Sequence, residues 1–226
     1  MTMETNPIGC EAPLTQAEIP GLYDKLAPVY DGWAFFTESK ARKRALELSG
    51  LRDGETVLEV AVGTGLMFLQ IVKQNAHGKN LGIDISDGML KKATRRLARL
   101  ADDSYQLRNG NALDLQVKDA SIDLLMNSYM FDLLSPKDAN TVLDEFARVL
   151  NPGGRMVIVN MTRGRSRASR VYELVSRRSP RRFGGCRGVK LAETIAQHGF
   201  EIVSEEYQQQ CFFPSEIIVA RKARRT

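Results

Sequence analysis

Val57-Leu-Glu-Val-Ala-Val-Gly-Thr-Gly65 decides how this 226-residue chain folds. The β-branched, apolar run over residues 55–62, bounded by Asp53-Gly54 and Gly63, has the pattern of a strand buried on both faces of a parallel sheet. Gly63 and Gly65 let backbone approach a ligand closely, where a Cβ would collide. A G-x-G turn alone often serves packing, so its neighbours must decide. A dinucleotide site of the G-x-G-x-x-G kind would put a third glycine where Phe68 stands. Instead the acid Glu59 precedes the turn, suited to a ligand that carries an ammonium group and no phosphate.

Outward from the turn, strands and helices alternate. Residues 66–74 resume as helix, residues 80–85 form a second strand, and Ser86 caps the next helix with Asp87 in its first turn. Asp84 ends the second strand 19 residues past Gly65, a spacing from which a carboxylate accepts both ribose hydroxyls. Met89 has a place against a purine face, or in the core. Residues 121–127 and 155–160 read as strands around a helix at 136–150 that Ser135 caps and Pro136 begins, and Asn151-Pro-Gly-Gly154 forces a turn. A helix at 189–198, stopped by Gly199, leads to strands at 201–207 and 217–220. The expected fold is α/β, a doubly wound, mostly parallel sheet with ligands at the carboxyl ends of its strands.

Residues 1–20 read as a flexible polar leader and residues 21–226 as one domain. Its first part, 21–50, reads as a helical cap. Aromatic residues and Pro28 bend it over a pocket, and Thr37 caps a helix that Gly50 closes. Residues 161–188 read as a basic helical insertion. Between Arg163 and Arg187 there are nine arginines and one acid, a net +8, and residues 221–226 add +4. The whole chain carries only +5, so the remainder is near −7 and the basic face is local. Three readings of it compete: a solvated helix, contact with anionic membrane lipid, and a polyanion such as RNA. The acidic remainder and the lack of a nucleic-acid module count against the last.

The residues resemble class I S-adenosylmethionine methyltransferases of the Rossmann-like methyltransferase fold. Within them they are similar to the menaquinone and ubiquinone C-methyltransferases and the bacterial phospholipid N-methyltransferases. The marks are Tyr23-Asp-Lys-Leu-Ala-Pro-Val-Tyr-Asp31, Leu58-Glu-Val-Ala-Val-Gly-Thr-Gly65, Gly82-Ile-Asp-Ile-Ser86 with Met89, Asn109-Gly-Asn-Ala112 and Arg148-Val-Leu-Asn-Pro-Gly-Gly154. The resemblance implies S-adenosylmethionine as cofactor. It places Glu59, Gly63 and Gly65 at the methionine part, Asp84 at the ribose, Asn111 and Ala112 at the adenine, and Asn127 and Ser128 on the path to the methyl group. Tyr23, Ala61, Thr64, Ile85 and Met89 complete the implied cofactor set. Asn111 departs from the family's usual acid, although its side-chain oxygen can still accept a hydrogen bond.

In-line transfer from a sulfonium requires an acceptor held close and dry. No metal-ligand cluster is apparent and none is required. For a carbon or phenol acceptor a general base helps, and the candidates are Tyr30, Tyr129, Asp132 and His198. The three cysteines are widely spaced and read as reduced thiols. No apolar run reaches the ~18–20 residues that span a bilayer, and the start lacks a signal-peptide layout, so a cytoplasmic protein is expected. The expected partners are a small-molecule or lipid acceptor, in a monomer or homodimer. A basic face from Arg163 to Arg187 would touch anionic membrane.

Overall fold

The computed structural model describes residues 21, 24, 31–32, 34–100, 104–162, 164 and 191–223. Expectations for the leader, for Tyr23 and Tyr30, and for nearly all of 163–187 fall outside the described residues.

Seven strands form one sheet: β1 (Thr56–Val60), β2 (Lys79–Asp84), β3 (Tyr105–Asn109), β4 (Ile122–Ser128), β5 (Leu150–Met161), β6 (Phe200–Gln210) and β7 (Phe213–Lys222), in the order β3-β2-β1-β4-β5-β7-β6. β1 to β5 pair in parallel, and β7 runs antiparallel to both β5 and β6. Helices α1 (Ser39–Ser49), α2 (Leu66–Gln74) and α3 (Asp87–Leu97) cover one face, while α4 (Pro136–Val149) and α5 (Ala192–Gln197) cover the other. Alternate residues of β1 show why: Leu58 and Val60 join the core with Phe146 and Ile195, whereas Val57 joins Phe68, Ile71 and Ala93. Both faces of the strand are buried, as its unbroken apolar run requires.

Local chemistry fixes the helix ends. The Ser86 and Ser135 hydroxyls accept from the Met89 and Asp138 amides, Pro136 opens α4, and Gly50 closes α1 in the left-handed region at φ 57°. Thr37 does not cap α1. It lies buried in a preceding helical turn, and the chain kinks at Glu38, which precedes α1 without a side-chain capping bond. Phe68, at the missing third glycine, packs over Gly82 of β2, where an added Cβ would come within 3.1 Å of its ring.

Three further differences from the sequence reading stand out. β3 was not anticipated, because Tyr105-Gln-Leu-Arg-Asn109 is an edge strand with few buried side chains. β6 and β7 form a hairpin several residues longer than their apolar cores indicate. Asn151-Pro-Gly-Gly154 belongs to β5 and shifts its register against β4. Among the described residues, no helix is long and apolar enough to cross a membrane.

Candidate functional site

The strand order reverses between β1 and β4, and a cleft opens there at the strands' carboxyl ends. It has two lobes. The larger, about 780 Å³, is walled by Ile83, Asp84, Ile85, Met89, Asn111 and Ala112, and on its other side by Met130, Leu133, Leu134 and Val142. The smaller, about 310 Å³, is the more polar of the two and holds Glu38, Arg42, Glu59 and Thr64. Ala61, Gly63, Ser128 and Tyr129 line both lobes.

The glycine turn is built from left-handed residues: Ala61 at φ 60°, Gly63 at 56° and Gly65 at 77°. Its backbone is pinned, since Val62 N–H donates to Ile83 O (3.1 Å) and Gly65 N–H to Val62 O (2.9 Å). A Cβ on Gly63 would meet nothing within 4 Å, so this glycine fronts open cleft. Gly65 differs. Its Cβ would fall 3.0 Å from that of Ala93, and it lines neither lobe, so it serves the packing of α3 on the turn.

Glu59 is 2% exposed and its Oε2 has no hydrogen-bond partner among the described residues. Burial pushes its carboxyl well above the ordinary range. Arg42 draws it down and the nearby Asp84 adds to the rise. Arg42 Nη1 pairs with Glu38 Oε2 at 2.5 Å and Nη2 donates to Ala34 O at 3.1 Å. Asp84 Oδ2 accepts from Gly63 N–H (2.7 Å) and Oδ1 from Ser86 N–H (2.9 Å). Burial raises its pKa, and those amides oppose the rise. Met89 is buried in the lobe wall.

Asn111 reaches the cleft, but its Oδ1 also accepts the Leu113 amide (3.0 Å) in a local turn. Asn127 Nδ2 donates to Val60 O (2.8 Å), bracing β4 against the end of β1. Its Oδ1 and the Ser128 Oγ have no partner among the described residues.

The base candidates fare differently. Tyr129 lines the cleft with its ring packed on Phe213, and its hydroxyl shares a buried 2.7 Å hydrogen bond with Ser215 Oγ. Burial pushes the phenol well above its usual range, so it keeps its proton and offers no phenolate to act as a base. Asp132 is wholly buried and lines neither lobe. His198 follows α5, with Nδ1 2.7 Å from Thr194 O and Nε2 3.6 Å from Asp144, away from the cleft.

Four residues that matter here were not singled out from sequence. Arg42 reads as one more base in Ser-Lys-Ala-Arg-Lys-Arg44. Asp24 Oδ1 accepts from Ser86 Oγ (2.6 Å) and Gly88 N–H (2.8 Å). Asp31 accepts from Thr64 Oγ1 (2.6 Å) and Arg96 Nη2 (2.6 Å), while Arg96 also donates to Thr64 O. These two acids tie the start of the described chain to the glycine turn and to the N-terminus of α3. Both stand in the quoted stretch Tyr23 to Asp31, which was the available signal. Asn160, at the carboxyl end of β5, is fully buried with neither amide atom partnered among the described residues. The described residues hold no group of three metal-ligating side chains.

The sheet order, the turn at the switch point and the acid that ends β2 are the arrangement of an α/β protein of the methyltransferase class, with its ligand cleft at the strands' carboxyl ends. Residues 57–154 match the model of the methyltransferase domain. The demethylmenaquinone methyltransferase of Tropheryma whipplei (strain Twist) is 32% identical over 165 residues, 71% of this chain and 66% of that protein. The 2-phytyl-1,4-naphtoquinone methyltransferase of Synechococcus elongatus is 32% identical over 163 residues, 70% of this chain and 69% of that protein. The matched stretch thus spans about two thirds of these relatives' length. By fold, the crystal structure of the cyclase SpnF superposes with a TM-score of 0.76 at 17% identity, covering 96% of this chain and 99% of that one. Geranyl diphosphate methyltransferase does so with 0.67 at 16% identity, covering 82% and 78%. The chain belongs to the S-adenosylmethionine-dependent methyltransferase family.

Proposed function

We propose that the protein transfers a methyl group from S-adenosylmethionine to a ring carbon of a lipophilic quinone precursor. The observation that carries the cofactor half is the buried Glu59 carboxyl with an oxygen that has no partner among the described residues, facing the more polar lobe beside an apolar one. A buried acid that lacks a partner fits a ligand cation, and the neighbouring Arg42 guanidinium fits the ligand's own carboxylate. In this reading the small lobe takes the amino-acid part. Asp84 takes the ribose hydroxyls on lone pairs its two amide bonds leave free, and Ile85, Met89, Asn111 and Ala112 hold the adenine. Gly63 lets the ligand lie against backbone.

When bound, S-adenosylmethionine supplies a methyl group already activated on a sulfonium. The residues of this chain then have to position an acceptor and exclude water. Met130, Leu133 and Leu134 offer a water-excluding wall, and the Ser128 Oγ, without a partner among the described residues, is suited to hold a ring oxygen. The identity to two naphthoquinone methyltransferases supports a quinone precursor over a phospholipid amine.

The test is a transfer assay with purified protein, S-adenosylmethionine and either a reduced demethylnaphthoquinone or phosphatidylethanolamine vesicles, read by mass spectrometry. A methylated naphthoquinol is expected. Methylated headgroup with unchanged naphthoquinol would overturn the acceptor and keep the cofactor reading, and turnover of neither would favour a soluble metabolite or a binding-only role.

A further inference from the structure

Two large aromatic side chains, Phe35 and Phe36, are each 65% exposed and stand edge to face with ring centres 5.3 Å apart. Their position is fixed. Gln210 at the end of β6 donates through Nε2 to Phe35 O (2.8 Å) and to Ser39 Oγ (2.9 Å), and its Oε1 accepts from Lys40 N–H (2.8 Å). The clamp sets the aromatic pair beside the tip of the β6–β7 hairpin, where Phe212 is exposed as well. The next residue, Phe213, is buried against Tyr129, a wall of both lobes of the cleft, so the aromatic edge adjoins the site.

Exposed apolar side chains held by a dedicated clamp call for a partner, and the surrounding charge identifies its kind. Lys40 and Lys43 are exposed on the first turns of α1. The acids near them are already engaged: Glu38 is buried against Arg42, and Glu47 and Glu206 pair with Arg44. Thr162, whose N–H donates to Pro214 O (3.1 Å), brings the end of β5 to the same hairpin tip, immediately before the nine arginines in the sequence. Aromatic side chains flanked by exposed lysines fit the boundary between acyl chains and anionic headgroups.

We infer that Phe35, Phe36 and Phe212 form a wedge that inserts into the surface of an anionic bilayer, with Lys40 and Lys43 against its headgroups. This rests on the lipophilic-acceptor reading, since it sets the mouth of the cleft at the surface in which such an acceptor dissolves. It does not depend on the identity of the acceptor.

Sedimentation of the full chain with vesicles of phosphatidylglycerol and phosphatidylcholine, against phosphatidylcholine alone, tests it. Binding is expected to the anionic vesicles, and the F35S/F36S/F212S variant is expected to lose about tenfold or more of its partition coefficient. Its circular dichroism and its turnover of a tail-less, water-soluble acceptor stay at wild-type values. The K40E/K43E variant loses binding without loss of any aromatic ring. Variants that sediment like wild type overturn the wedge, and so does loss of turnover on the soluble acceptor, which would make the aromatics part of the acceptor site. A wild-type dimer that the serine variant abolishes would also overturn it, assigning the face to a second copy. Vesicle binding that persists when no naphthoquinol is methylated leaves the wedge standing and removes only the acceptor.

Discussion

Replacing Glu59 by glutamine sets cofactor affinity and fold stability against each other. The side chain is 2% exposed and has an oxygen without a partner among the described residues, so in the free protein its carboxyl gains little and loses its hydration. A bound ammonium ion would give it a charge-assisted contact worth about 1.5–3 kcal/mol, and the amide forfeits the charge. S-adenosylhomocysteine is therefore expected to bind E59Q about tenfold to a hundredfold more weakly. 5′-Methylthioadenosine, which lacks the amino-acid part, is expected to bind both proteins alike.

Stability moves the other way. The folded-state pKa of Glu59 lies well above its unfolded value, so the stability its proton confers is full below the ordinary carboxylate range and drains away as pH rises through the folded pKa. At pH 8 the glutamine variant escapes that loss, and its melting temperature in the absence of ligand equals or exceeds that of wild type. The same linkage makes wild-type ligand affinity climb with pH across that window, with proton release that the variant lacks. Calorimetric titration in buffers of different ionisation enthalpy, together with thermal unfolding, reads all of this. Unchanged affinity in E59Q would refute the cradle. So would equal weakening of both ligands together with a lower melting temperature, because that pattern marks general damage.

Three further outcomes follow from the same geometry. Ala61 holds φ 60° without glycine's freedom, so A61G is expected to stabilise the protein by up to about 1 kcal/mol in urea unfolding, whereas a β-branched residue there destabilises it. Y129F leaves Ser215 Oγ without its buried partner, costing about 1–2 kcal/mol of stability while kcat stays within a few-fold of wild type. A fall of a hundredfold or more would restore Tyr129 as the base. Burial acts upward on the Glu55 carboxyl, but hydrogen bonds from Arg155 (2.7 and 2.9 Å) and from Arg52 outweigh it and hold it at about 2. That depressed value contributes stability that is full above the ordinary glutamate range and lost as pH falls toward 2. E55Q flattens this part of the acid-unfolding curve.

What the sequence made legible was local. The β1 run, the caps at Ser86 and Ser135, Gly50 and the Asp84 carboxylate held by the Ser86 amide each follow from chemistry within a few residues. What it hid depends on residues far apart in the chain. Arg42 meets Glu59 only because α1 packs along the sheet, and Asp31 meets Arg96 across 65 positions. The Tyr129 hydroxyl looked available until the fold set Ser215 against it, 86 residues on. β3 escaped notice because an edge strand needs little apolar surface, and its alternation, half-buried Tyr105 and Leu107 between exposed Gln106 and Arg108, is too short to stand out. Gly65 shows the converse: its glycine was legible, but the crowding by Ala93, 28 residues on, that also constrains it was not.

The central claim is that the acid before the turn, the turn itself and the acid ending β2 make a seat for a cationic sulfonium nucleoside. Equilibrium titration of the purified protein with S-adenosylmethionine, its demethylated product and a nicotinamide dinucleotide, in parallel, tests it most directly. Saturable uptake of the first two with none of the third is predicted. Uptake of the dinucleotide by a protein that ignores both sulfur nucleosides would contradict it.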